Sequence, residues 1–172
     1  MTLTPVAERF VLHWGEMGTR WGINRTVAQI HALLYISRQP LHAEEIAETL
    51  SIARSNVSTS LRELQGWRIV KVVHLLGDRR DHFESMKDVW EMFRVVLEER
   101  KRREIDPTLE VLRACVAESK ISSEPYVQER LQEMLNFLET MSNWYEQIKK
   151  IPSTSLMKII KLGNKIQKMV GK

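Results

Sequence analysis

One nine-residue segment groups six polar side chains that can all form hydrogen bonds. It combines an amide, three hydroxyls and two guanidinium groups: Arg54, Ser55, Asn56, Ser58, Thr59 and Arg62. Amide and hydroxyl groups can donate to and accept from the edges of bases, and arginine binds guanine edges or phosphates. A solvated helix face has a similar composition, so the elements around the segment must decide between the two interpretations.

A second basic group follows about fifteen residues later, in the loop Gly77-Asp78-Arg79-Arg80-Asp81. Two adjacent arginines on a glycine-containing loop can reach a minor groove or neighbouring phosphates. Asp78 and Asp81 flank them, so a local ion pair that shapes the loop is the alternative.

The elements that would position these groups form a helix-turn-helix. A short helix from His42 to Leu50 is followed by a tight turn at Ser51-Ile52 and by a recognition helix at about 53–65. Val57, Leu61 and Leu64 form the apolar stripe of the recognition helix, and Ala47 provides a small side chain where the two helices cross. Burial of that stripe turns the polar side chains outward, where a major groove could receive them.

A hairpin completes the module. The β-branched run 68–75 predicts a strand, residues of about 76–81 form the wing, and His82–Met86 return as a second strand. The predicted fold is therefore mainly α (α+β): a winged helix-turn-helix with a two-stranded β-hairpin wing, plus N- and C-terminal dimerisation helices.

The flanking regions are helical. A helix at Pro5–Thr19 is predicted to direct Val6, Phe10, Trp14, Met17 and Trp21 inward, and one after Asn24 continues to Pro40. Beyond Lys87, Val89, Phe93 and Val96 predict a long helix that Asp106-Pro107 interrupts. The resulting domain prediction is an N-terminal helix (1–22), the winged module (23–88) and a C-terminal helical region (89–172).

Apolar residues spaced alternately by four and three follow Pro125, as in helices that pack along one another. A basic amphipathic tail extends the pattern to Lys172. The residues predicted to mediate dimerisation are Leu131, Leu138, Met141, Tyr145, Ile148, Ile159 and Ile166. The lysine-rich tail is also compatible with a membrane-surface helix or a nucleic-acid arm.

The segment from Ile46 to Leu64, continued to Trp67, resembles the MarR superfamily, and specifically its GbsR-like branch. The loop 77–83 and the triplet Asp88-Val89-Trp90 are similar to the wing and linker helix of that branch. Ser55, where glycine is expected in relatives, and Ser51, at a turn position where glycine is common, depart from the pattern. The resemblance implies a homodimeric transcription regulator, expected to be a repressor, that binds an inverted repeat of double-stranded DNA.

The resemblance also implies a choline-like small-molecule effector, since some GbsR-like proteins sense choline. A quaternary ammonium requires an aromatic cage, and tryptophan and tyrosine are abundant enough to build one. Trp14, Trp21 and Tyr145 lie on apolar helix faces, however, where packing is the alternative role. The second function considered is a winged-helix module for protein contacts, which would display large apolar groups on the recognition helix.

Other function classes find little support in the sequence. The formal charge of +4 suits a polyanion, and a single cysteine excludes an intramolecular disulfide. The five histidines lack metal-ligand spacing, although His74 and His82 are expected to face each other across the hairpin as a polar pair. We therefore expect no enzymatic activity, no cofactor, no metal, no membrane partner and a cytoplasmic location.

Overall fold

The computed structural model describes residues 2–122, 124–152 and 155. In chain order the elements are α1 (Pro5–Arg20), α2 (Arg25–Ile36), β1 (Leu41–His42), α3 (Ala43–Leu50), α4 (Arg54–Gly66), β2 (Val70–Val73), β3 (His82–Ser85), α5 (Val89–Arg100), a π-helical segment (Lys101–Ile105), α6 (Asp106–Ser122) and α7 (Pro125–Ile148). They form two compact units, Met1–Val95 and Val96–Lys172. The predicted winged helix-turn-helix fold is confirmed in the first unit.

Helix α2 is the centre of the first unit. Ile30, Leu33 and Leu34 are fully buried, and α1, α4 and β3 all pack against this helix. Because α2 is apolar on nearly every side, it is a core helix rather than an amphipathic surface helix. The remaining helices present only one face to it.

The predicted inward face of α1 is wrong in part, because Phe10 packs against the core but three of its other members are exposed. Val11, Gly15 and Gly18 are the buried residues, whereas Val6, Trp14 and Trp21 are exposed. A Cβ atom added to Gly18 would lie only 2.5 Å from the Cβ of Ala28, so the glycines permit a close approach of α1 to α2. Backbone proximity, rather than side-chain size, therefore decides which face of α1 is buried.

The helix-turn-helix follows the prediction. Val57 and Leu61 of α4 are buried, and Ala47 of α3 is partly buried against the same core. Ser51 ends α3 in the left-handed conformation, with φ of 54° and ψ of 44°. This backbone is unfavourable for a residue with a side chain, as expected from the serine at a position that suits glycine.

The sheet has three strands in the order β1-β3-β2, rather than the two that the sequence predicted. β1 has only two residues and leads directly into α3, so it carries no alternating pattern that could reveal it. The predicted pairing of His74 with His82 is wrong: His82 lies opposite Val73 on β2 and opposite His42 on β1. His74 lies beyond the end of β2.

One helix face in the C-terminal half also differs from the prediction. Met92 is the buried residue of α5, whereas Val89 and Phe93 are about half exposed. The interruption expected at Asp106-Pro107 takes the form of the π-helical segment that ends at Ile105. Within the second unit, Leu109 and Val116 of α6 pack with Leu135 of α7. No helix among the described residues is long and apolar enough to cross a membrane.

Candidate nucleic-acid interface

The polar side chains of α4 lie together on one open surface. Val57, Ser60, Leu61 and Leu64 form the buried side of this helix. The six residues predicted to contact DNA are all exposed: Arg54, Ser55, Asn56, Ser58, Thr59 and Arg62. The apolar stripe thus orients α4 so that its hydrogen-bonding groups face solvent.

The start of α4 adds backbone donors to this surface. Ala53 occupies the N-cap position and provides no side-chain hydrogen bond to the first turn. The backbone N–H groups of a first helical turn have no partner within the helix, and they carry the positive end of its dipole. Negative groups are therefore favoured near Arg54 and Ser55.

A polar groove of about 210 Å³ runs between α4 and the first turn of α2. Asn24 and Thr26 line one side, and Asn56 and Thr59 line the other. Asn24 caps α2 by accepting a hydrogen bond from the backbone N–H of Thr26 at 2.8 Å. The sequence indicated Asn24 as a cap, but only the fold places it beside the recognition helix.

The wing presents its two arginines differently. Arg79 is exposed and makes no hydrogen bond or ion pair within the described part of the chain. Arg80 donates from Nε to Asp78 at 2.9 Å, and from Nη1 to the imidazole Nε2 of His42 at 2.8 Å. The hydrogen bonds from Arg80 hold the pKa of the Asp78 carboxyl below its usual range. The local ion pair is therefore present at Arg80, and Arg79 is exposed.

Apolar side chains also reach the tip of the wing. Leu76 is fully exposed and Leu75 is partly exposed, immediately before Gly77, whose φ is 85°. Glycine is suited to this positive φ because it has no Cβ. The sequence predicted Leu75 as the end of the strand 68–75 and Leu76 as part of the wing, with no functional role for either.

Comparisons with known proteins agree with this geometry. Residues 21–81 match the sequence model of the MarR family. YvaV, an HTH-type transcriptional regulator of Bacillus subtilis, is 26% identical over 94 residues, 54% of this chain and 53% of YvaV. GbsR, an HTH-type transcriptional repressor of the same organism, is 22% identical over 136 residues, 76% of this chain and 75% of GbsR.

The chain is therefore similar to the MarR family over residues 21–81 and to the repressor GbsR over 136 residues. The matched stretch spans about half the length of YvaV. A solved structure described as a transcriptional regulator shares the fold with a TM-score of 0.66 and 22% identity, covering 84% of this chain and 96% of that one. The resemblance drawn from the residues alone is thereby confirmed.

The first unit also contains an apolar pocket. The pocket measures about 150 Å³ and is lined by Phe10, Trp14, His31, Ala32, Tyr35, Val89 and Met92. The rings of Phe10 and Trp14 pack 5.5 Å apart. His31 Nε2 is buried and has no hydrogen-bond partner among the described residues. Burial, with a smaller effect of the Lys87 charge, lowers the pKa of His31 to about 4.

The predicted dimerisation residues divide between different surroundings. Leu131 and Leu138 pack against the α6–α7 cluster of their own chain, and Tyr145 donates a hydrogen bond to Glu98 Oε2 at 3.0 Å. Met141 is exposed and Ile148 is half-buried. Ile159 and Ile166, together with most of the lysine-rich tail, lie outside the described residues.

A separate exposed stripe runs along α7. Val127, Met134, Phe137, Met141 and Trp144 are each more than 40% exposed. From Met134 their spacing is three, four and three, which is the repeat of a helix that packs along another helix. The apolar residues with regular spacing in the sequence therefore belong to two adjacent stripes of α7. One stripe packs on α6, and the other is exposed.

Among the described residues, no group of three histidine, cysteine or acidic side chains could hold a metal ion. The candidate site thus consists of a polar helix face, a polar groove and a basic wing. Hydrogen bonding and charge are its available chemistry.

Proposed function

We propose that the chain is a sequence-specific transcription regulator that binds double-stranded DNA. The observation that carries the proposal is the surface of α4, where six hydrogen-bonding side chains are exposed opposite a buried apolar stripe. A helix with this distribution can enter a major groove with its polar face against the base pairs. The names of the relatives, which include a transcriptional repressor, favour repression.

Within this interface the groups have different tasks. Asn56 can bond both hydrogen-bonding atoms of an adenine edge, and arginine can do so with guanine. Arg79 and Arg80 are both exposed on the wing and would enter the minor groove or bind phosphate. Arg54 forms an ion pair with Glu44 at 2.6 Å and must exchange this partner for DNA.

The alternative of a protein-binding module is less well supported. Such a module would present large apolar side chains on α4, as interface cores are enriched in aromatic and aliphatic anchors. The exposed side of α4 instead carries arginine, asparagine, serine and threonine. These side chains match base edges and phosphates.

Replacing Asn56 by alanine should weaken binding to the preferred duplex by about tenfold or more and relax sequence choice at one base pair, because a bidentate base contact is lost.

Replacing Arg79 by alanine should weaken the binding of all duplexes similarly and reduce the salt dependence of binding. Fluorescence anisotropy, with a duplex selected by the wild-type protein from a random-sequence pool, measures both. Lys71→Ala, at an exposed position on β2, is the control. Equal affinities for wild type and Asn56→Ala would contradict the assigned face.

We also propose that the functional form is a homodimer. The open stripe of α7 is too regular and too apolar for a surface that stays in water, and a second copy of α7 has the matching repeat. A two-fold axis would pair two recognition helices with half-sites about 10 base pairs apart on an inverted repeat.

The apolar pocket is the proposed site of a choline-like effector. The paired rings of Phe10 and Trp14 offer π faces to a quaternary ammonium. Lys87 Nζ already lies 6.0 Å from the centroid of the Tyr35 ring, so the ligand cation should occupy the Phe10–Trp14 side.

Tryptophan fluorescence can test this assignment with choline and its uncharged isostere, 3,3-dimethyl-1-butanol. We expect choline to bind at least about fivefold more tightly, since cation–π attraction adds roughly 1 kcal/mol that the isostere lacks. Phe10→Leu should remove the difference while keeping the pocket apolar. Equal binding of the two compounds to the wild type would exclude recognition of the cation.

A further inference from the structure

A pair of buried histidines joins the wing to the helix-turn-helix. His42 on β1 and His82 on β3 face each other across the sheet, with ring centroids 5.6 Å apart and nearly perpendicular planes. Both are buried, at 8% and 5% exposure. The proposed DNA contacts use neither of them.

The partners of His42 determine which of its nitrogens carries the proton. Arg80 Nη1, at 2.8 Å, can only donate, so His42 Nε2 must accept. The neutral imidazole then carries its proton on Nδ1, which donates to Glu44 Oε2 at 3.0 Å. The backbone N–H of Glu45, at 3.4 Å from Nδ1, consequently finds no lone pair there.

Glu44 extends this connection to the recognition helix. Its second carboxylate oxygen, Oε1, binds Arg54 Nη2 at 2.6 Å. Glu44 and His42, which we call the Glu44–His42 bridge, therefore hold one arginine of α4 and one of the wing. The bonds from its own backbone N–H, His42 and Arg54 lower the pKa of Glu44.

The Glu44–His42 bridge orients Arg80 but leaves some of its hydrogen-bond donors available. Its Nε and Nη2 donate to Asp78, and Nη1 donates to His42, which leaves two of the five N–H groups of a guanidinium available. The side chain is 54% exposed. An oriented arginine loses less conformational freedom on binding than a freely rotating one.

We propose that His42 is a positioning residue, which holds Arg80 for DNA only while its imidazole is neutral and thereby makes DNA affinity depend on pH. This inference rests on the proposed DNA-binding function. Imidazole side chains in general change charge between about pH 5 and 8.

The groups around His42 provide an alternative partner for the protonated state. Glu44 and Glu45 face it from α3, Arg80 and Asp78 from the wing, and His82 from β3, with Arg54 behind Glu44. An imidazolium has no acceptor for Arg80 and repels it. Its Nε2–H can instead donate to Glu45 Oε2, already 3.4 Å away. Arg80 then keeps only Asp78.

Two substitutions separate positioning from folding. In His42→Gln, the side-chain oxygen can still accept from Arg80 but cannot titrate. In His42→Ser, the hydroxyl can cap α3, but it is too short to reach Arg80. Thermal unfolding of both variants monitors the fold, and anisotropy with the duplex selected by the wild type from a random pool measures affinity.

Between pH 7.5 and 5.5 we expect wild-type affinity to fall about fivefold relative to that of His42→Gln, the effect of one lost hydrogen bond. At pH 7.5, His42→Ser should bind about fivefold more weakly than wild type, but it should cost little when it is introduced into Arg80→Ala. Parallel pH profiles for wild type and His42→Gln would overturn the proposal. So would additive effects of His42→Ser and Arg80→Ala. If the wild type retains no duplex at low ionic strength, the proposed function itself fails, and the positioning role with it.

Discussion

The two compact units differ in how much apolar surface they bury. Among the described residues, the first unit has a cluster of fifteen buried side chains around α2, whereas the second has three, between α6 and α7. The second unit also leaves Phe137 and Trp144 more than half exposed. Burial of apolar area is the main stabilising contribution to a fold. The first unit therefore buries a large core of its own, and the exposed stripe of α7 is the surface that the proposed dimer would cover.

The largest effect that tests this comparison should come from Phe137→Asp. A charge on the open stripe would be buried in both copies of a symmetric dimer, so the dissociation constant should rise by about a hundredfold or more. Sedimentation velocity over a concentration series measures it. Asn136→Asp adds the same charge at the neighbouring exposed residue and should leave the dimer intact. An unchanged dissociation constant for Phe137→Asp would exclude the stripe as the interface.

A smaller effect should arise in the first unit from His31, whose pKa falls from 6.5 to about 4 on folding. Between about pH 6.5 and pH 4, His31 is protonated in the unfolded chain and neutral in the folded chain. The free energy of unfolding should therefore decrease by about 2 kcal/mol between pH 7 and pH 5. Urea unfolding of wild type and His31→Gln, at equal protein concentration, measures this difference. If the free energy of unfolding changed equally with pH in the two proteins, His31 would be excluded as a source of the pH dependence.

The winged helix-turn-helix was predictable because its signals are local. The apolar stripe of α4, the polar residues between its members and the glycine of the wing lie within about 25 residues of sequence. Periodicity alone assigns the buried and exposed faces of such a helix. The exposure of all six predicted residues of α4 agrees with that assignment.

The faces of α1 and α7 were not predictable in the same way. Each helix carries more apolar residues than one contact requires, and hydrophobicity does not indicate which stripe packs within the chain. On α1, Gly15 and Gly18 allow the closer approach, so Val6, Trp14 and Trp21 remain exposed. On α7, Leu135 faces α6, and the neighbouring stripe through Phe137 remains open.

The sequence by itself determined the winged helix-turn-helix and the residues that α4 exposes, because helix periodicity and turn residues act over a few positions. Only the tertiary structure brought His42, Glu44 and Arg80 together, since β1 and the wing are separated by about forty residues. Hydrogen bonds between distant segments depend on the position of each backbone to within a fraction of an ångström. No spacing within a single segment encodes such a position.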